Sequence, residues 1–303
     1  MVKFYLSLIT ALIFSGLFLT STVNAEAGQS ITIGPSIVSL NLKPGTSTSA
    51  DLSVINSGPV GYSYNIYALP YGVENQNYQP SFKNLPGFAN ITSWFNLSYS
   101  SGYLNSGQSL NLKYTVNVPK DTAPGSYYVA IFAESASRVP QLAKPQVSIS
   151  QRVGALIYIN VAGNALEKGS ISSWSISFFQ SPPVKADLKL SNAGKLYYVS
   201  HINIYFRDIL GGVKYRFVDQ KIVIPKVVRN IPVVWPKAPS IGLFKANGTV
   251  TIYGQRKLVS LYFLVVSTTA KIVIGLIFLM IILFFAIWNS LATVSKSIRK
   301  KIK

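Results

Sequence analysis

The 303-residue chain contains no cysteine, a single histidine and only nine acidic residues, against 28 lysines and arginines. Without thiols there is no disulfide staple and no thiolate nucleophile or metal ligand, so stability rests on burial alone. Exported eukaryotic domains tend to carry disulfides, and their absence here favours a prokaryotic surface protein. The acids Asp51, Glu74, Asp121, Glu134, Asp187, Asp208 and Asp219 are scattered singly. They offer neither a close carboxylate pair nor metal-loop spacing. No glycine-rich phosphate loop is present. His201 falls on the outward side of a strand pattern with Asn203, Tyr205 and Arg207, where a lone histidine reads as a solvated residue. These absences argue against an enzyme, and no catalytic residue, metal site or cofactor is expected.

What the chain does have is an apolar run at each end. Met1–Ala25 has Lys3, an apolar stretch from Phe4 to Leu19, and small or polar residues ending in Val23, Asn24 and Ala25. This is the pattern of a secretory signal (residues 1–25), with a second small-residue cleavage site after Ala27. Seventeen apolar or glycine residues run from Ile272 to Trp288, and residues 272–294 carry no charge. At about 1.5 Å per helical residue, roughly twenty residues cross a bilayer core, so one span is expected. The basic cluster in residues 295–303 stays in the cytoplasm by the positive-inside rule, which puts the body of the protein outside the cell membrane.

Between the two ends the period is two. Leu110, Leu112, Tyr114, Val116 and Val118 alternate with polar residues, as do Ala50, Leu52 and Val54, and Ile202, Ile204 and Phe206. Turn signals separate the runs: Pro44-Gly45, Asn56-Ser57-Gly58, Asn105-Ser106-Gly107, Pro124-Gly125, Asn192-Ala193-Gly194 and Gly211-Gly212. Short strands with such punctuation predict an all-β chain of two tandem immunoglobulin-like β-sandwich domains. The predicted boundaries are residues 29–163 and 164–267. Only Ser267–Lys271 separates the second domain from the span, which holds it close to the bilayer.

The run Leu40-Asn41-Leu42-Lys43-Pro44-Gly45, the later Asp51–Asn56 strand, Val116–Asp121 with Pro124-Gly125-Ser126-Tyr127-Tyr128, Trp94, Arg152-Val153-Gly154 and Ser191–Lys195 follow one another in an order that resembles the WxL-protein-interacting, peptidoglycan-binding family. That resemblance implies an exported protein with two immunoglobulin-like domains, one membrane helix and a cell-wall or surface-protein partner.

Charge divides unevenly. Residues 29–163 hold seven bases and four acids, a net +3, whereas residues 164–270 hold fourteen bases and four acids, a net +10. A basic, membrane-proximal surface attracts polyanions and anionic lipid heads, with Arg207, Lys214 and Arg216 as candidate contacts. Tyr71, Asn75, Asn77 and Tyr78 lie in a loop-like segment whose rings and amides suit sugars, while Tyr62, Tyr64 and Tyr67 read as core. No nucleic-acid motif accompanies the basic residues, so DNA or RNA is not the expected partner. The primary expectation is a non-enzymatic tether binding cell-wall polymer or a wall-attached protein. The alternative is a membrane-anchored chaperone or assembly factor working through a strand edge, and a lesser one is an accessory subunit of a membrane complex. An edge strand in domain one that is long, flat, apolar and uncovered favours the chaperone; a charged or bulged one favours adhesion.

Overall fold

The computed structural model describes residues 30–83, 90–136 and 150–301, with side chains through Trp288. The expected signal peptide, residues 1–25, lies outside the described residues. Among the described residues strands come first and one long helix comes last. In order they are β1 (Ile31–Gly34), β2 (Ile37–Leu42), β3 (Ser47–Asn56), β4 (Tyr62–Pro70), β5 (Gly72–Val73), β6 (Pro80–Ser81), β7 (Phe95–Leu97), β8 (Ser101–Leu104), β9 (Ser109–Asn117), β10 (Gly125–Ala136) and β11 (Arg152–Val161). There follow β12 (Gly169–Ile176), β13 (Phe179–Gln180), β14 (Val184–Asn192), β15 (Tyr198–Asp208), β16 (Val213–Val223), β17 (Val228–Trp235), β18 (Ile241–Ile252), β19 (Gln255–Val266) and helix α1 (Thr268–Lys301).

The first eleven strands form a sandwich of a β1-β3-β9-β7 sheet on a β2-β11-β10-β4-β8 sheet, with β5 and β6 as a small hairpin. Alternation places Leu52, Val54, Leu112, Tyr114 and Val116 from one sheet against Tyr62, Ile131, Ile157 and Ile159 from the other, all buried. Pro35 cannot donate to a ladder, and there the chain changes sheets. β1 pairs antiparallel with β3 before Pro35, and β2 pairs parallel with β11 after it.

The second sandwich packs β12-β14-β17 on β13-β19-β18-β15-β16. Its core gathers Leu188, Leu190, Ile202, Ile204, Phe206, Trp235 and Phe263. One buried asparagine serves the same purpose in each sandwich. Asn56 Nδ2 donates to the carbonyls of Val60, Leu104 and Asn105, and its Oδ1 accepts from Gly58 N. Asn192 Nδ2 donates to Leu196 and Val223, and its Oδ1 accepts from Gly194 N and the Tyr253 hydroxyl. The amide thereby satisfies carbonyls that the turn would leave bare inside the protein.

A third apolar cluster joins the two sandwiches. Tyr71, Tyr128, Ala130, Phe132 and Tyr158 of the first meet Tyr197 and Ile224 of the second, with Tyr158 5.3 Å from Tyr128 and 5.4 Å from Tyr197, ring centre to ring centre. Backbone bonds reinforce it: Ser126 N donates to Lys195 O at 2.9 Å and Asn230 N to Gln76 O at 2.8 Å. Tyr197 N also donates to Ser126 Oγ at 2.7 Å.

Helix α1 leaves β19 after Ser267. From Thr268 to Trp288 it is long and apolar enough to cross a membrane, and none of it is buried in the protein.

Candidate functional site

Among the described residues, the first sandwich leaves one edge unblunted. Natural sheets protect their edges with charge, proline, bulges or shortness. Among the described residues β1 has four residues, β7 three, β8 four and β13 two. β12 bulges between Ile171 and Ser173, β17 contains Arg229 and Pro232, and β16 carries Lys214, Arg216, Asp219 and Lys221. β2, Ile-Val-Ser-Leu-Asn-Leu, has six residues with no charge, no proline and an unbroken register against β11.

Its two faces and two sides can be assigned. Val38, Leu40 and Leu42 turn their side chains onto the core, while Ile37, Ser39 and Asn41 are exposed. Leu156 N donates to Ser36 O at 2.9 Å and Ala162 N to Leu42 O at 2.8 Å. A parallel ladder bonds alternate residues to the same neighbour, so the even-numbered residues of β2 bond to β11. The N–H and C=O groups of Ile37, Ser39 and Asn41 therefore point away from the sheet. Such a row can accept an extended segment as one more strand. No titratable side chain lies in β2, so what this edge offers is backbone hydrogen-bonding groups and the half-exposed Ile37 rather than charge.

The sequence-predicted residues fall into two places, neither of them at this edge. Tyr71 is buried in the cluster between the sandwiches, and its ring is not open to a sugar. Tyr78 is likewise structural: its hydroxyl accepts from Ile224 N at 2.8 Å and the Arg229 guanidinium lies 3.9 Å from its ring centre. Burial pushes the Tyr78 hydroxyl up to about 12. Asn75 and Asn77 are exposed on the β5–β6 turn, where Asn75 Oδ1 accepts from Asn77 N at 3.0 Å. The four residues do not form one ligand surface, because the chain turns the two tyrosines into the domain junction and the two amides outward. The expectation of a sugar-stacking loop is corrected accordingly.

Arg207, Lys214 and Arg216 do converge, around the β15–β16 hairpin. The guanidinium carbons of Arg207 and Arg216 lie 5.2 and 5.5 Å from the Tyr205 ring centre. Arg216 Nε donates to Asn203 Oδ1 at 3.0 Å, and Arg207 donates to Gly211 O at 2.8 Å. Lys214 pairs with Asp208 at 2.9 Å. The Asp208 carboxyl is held below its usual range, first by Lys214 and then by the Gly212 N–H. His201 is exposed, and no three His, Cys, Asp or Glu side chains gather among the described residues.

No protein-family model matches the chain, and no curated protein matches it. Several solved structures are similar to it at low TM-scores. A chain of the CsuC–CsuE chaperone–tip adhesion subunit pre-assembly complex from Acinetobacter baumannii is 12% identical at a TM-score of 0.40, with 79% of this chain and 99% of that one covered. The class 5 fimbriae chaperone CfaA is 14% identical at 0.40, covering 77% and 99%. The E. coli chaperone DraB is 16% identical at 0.37, covering 77% and 98%. Likeness at this level carries no conclusion about activity.

The resemblance to the WxL-protein-interacting, peptidoglycan-binding family does not hold, since no model of any family matches the chain. The structure gives the physical reason. Gly45 sits at φ +73° because the turn after β2 requires it, and Asn56 bonds its own turn. Those motifs report sandwich turns, which many families share.

Sequence reasoning passed over Ile37, Ser39 and Asn41. The signal available was a six-residue stretch without charge or proline before Lys43-Pro44. Its status as an edge follows from parallel pairing with β11, more than a hundred residues later.

Proposed function

We propose that this chain is a membrane-anchored chaperone or assembly factor that holds an extended segment of a surface protein along β2. The observation that carries this reading is the open row of backbone groups at Ile37, Ser39 and Asn41 on an uncharged, unbulged edge. Three residues offer up to six backbone hydrogen bonds. At about 0.5–1.5 kcal/mol each, these give roughly 3–9 kcal/mol before the cost of association. That range suits reversible holding rather than permanent attachment. Helix α1 anchors the protein, with both sandwiches outside the cell and the basic tail within.

The test is Ser39→Pro, which removes one outward N–H but leaves the even-numbered bonds to β11 in place, as an edge strand allows. With a photo-crosslinker at Asn41, the parent protein should capture a client through one extended segment mapped by mass spectrometry. Ser39→Pro should abolish capture at an unchanged unfolding temperature. Undiminished capture by a stably folded Ser39→Pro protein refutes strand addition at β2.

A further inference from the structure

A group of exposed apolar residues of the second sandwich collects at the end from which α1 departs. Phe178, Phe179, Ile209, Leu210 and Ile241 are all exposed, Leu210 at 91%, Ile209 at 71% and Phe179 at 68%. They come from three connections that meet at the exit of β19. Phe179 pairs with Leu264 in the parallel β13–β19 ladder, so β13 runs toward the helix beside β19. Ile241 pairs with Val266, the last residue of β19. Asp208 pairs with Phe244, three residues in from Ile241, and the Ile209–Gly212 turn projects from there toward the same end.

Hydrogen bonds fasten these connections to the root of the helix. Ser267 N donates to Ser240 O at 2.7 Å, Ser181 Oγ to Val266 O at 2.9 Å, and Lys271 Nζ to Ser181 Oγ at 3.3 Å. The uncharged part of the span begins at Ile272, six residues after Val266. Six residues with a helical rise of about 1.5 Å cover roughly 9 Å, and a headgroup layer is about 5–8 Å deep. The bottom of the sandwich is therefore held within a few ångströms of the headgroups whenever α1 spans, where its projecting turns can reach them. Bases stand among the apolar tips: Arg207 and Lys214 flank the Ile209-Leu210 turn, and Lys237 lies in the β17–β18 connection. With Lys214 paired to Asp208, Arg207 and Lys237 supply the net positive charge beside the apolar tips, a combination that suits a bilayer with anionic headgroups.

We infer that the bottom of the second sandwich is a second membrane contact, in which Ile209, Leu210, Phe178 and Phe179 dip into the outer interface of the bilayer spanned by α1. This rests on the anchoring reading of α1. The contact fixes the tilt of the sandwich. Because the tyrosine cluster joins the two sandwiches, it also fixes the direction in which β2 faces.

The full chain has no cysteine, so single-cysteine variants carry an environment-sensitive fluorophore at a chosen place without background. Ile209→Cys, Leu210→Cys, Phe179→Cys, Leu258→Cys and Leu279→Cys would be reconstituted in nanodiscs of phosphatidylcholine and phosphatidylglycerol containing a lipid with a shallow spin label. Leu258 is the control, exposed at 84% in the same sandwich but paired with Thr249, toward the opposite end of β19. The expected result is loss of most of the emission at residues 209, 210 and 179, loss at 279, and no loss at 258. Loss at 279 with 209, 210 and 179 behaving like 258 overturns the membrane contact while α1 still spans. No loss at 279 overturns the anchoring reading itself, and the contact with it. Leu210 is nearly fully exposed, so its substitution leaves the fold intact, and three labelled positions on two elements guard against one unfavourable variant.

Discussion

Replacing Tyr78 with phenylalanine isolates one bond between the sandwiches. The Tyr78 ring stays under Arg229 in that variant, but the hydroxyl that accepts from Ile224 N at 2.8 Å is lost. Ile224 is 4% exposed, so water cannot readily replace the acceptor. An unsatisfied buried N–H costs about 1–3 kcal/mol. For a protein of this size each kcal/mol lowers Tm by about 2–4 °C, so a fall of several degrees is expected for the full chain in detergent. The specific readout is hydrogen exchange at the Ile224 amide, which should quicken while amides in the β3–β9 ladder keep their protection. Asn75→Ala and Asn77→Ala, on the exposed side of the same turn, should each cost less than about 1 kcal/mol. If Tyr78→Phe leaves both Tm and Ile224 exchange unchanged, this bond does not contribute to holding the sandwiches together.

Alkali should open the same junction. A folded-state pKa raised to about 12 at Tyr78 means that the unfolded chain ionises first. Stability is full below pH 10 and falls by about 2 kcal/mol as the pH climbs to 12, a loss that Tyr78→Phe should lessen in a Tm series from pH 8 to 12. Asn192→Ala should cost about 1–3 kcal/mol by stripping its donor from Val223 O, while Leu196 O keeps its bond from the Tyr253 hydroxyl, read as a lower denaturant midpoint at constant slope; no shift would show that the turn closes without the amide. Gly248→Ala would drive a methyl into Asn203 O, a backbone atom of β15. It should part β15 from β18 and abolish cooperative unfolding, and a normal transition would contradict the packing.

The β class was legible because alternation survives any tertiary arrangement: Leu112, Tyr114 and Val116 point inward whatever sheet lies opposite. The turn asparagines were equally legible, since Asn56 and Asn192 act on residues within a few positions of themselves. Tyr71 and Tyr78 were not, because a tyrosine in a loop-like segment looks the same whether it faces solvent or a second domain. The clustered bases at Arg207, Lys214 and Arg216 were visible as charge, but Asp208, Tyr205 and Asn203, which engage them, became partners only when β15 and β16 paired. The wall-binding family was a misreading of turns that the sandwich itself imposes.

The amino-acid sequence by itself determined the local choices: strands from a period of two, turns from glycine, proline and asparagine, a long apolar helix at the end, and burial in place of disulfides. Tertiary structure alone decided which strand remained an edge, which aromatics closed the junction between sandwiches and which apolar tips gathered at the foot of the helix. Each of these depends on contacts between residues far apart in the chain, whose cost in chain entropy is met only when the whole core forms together.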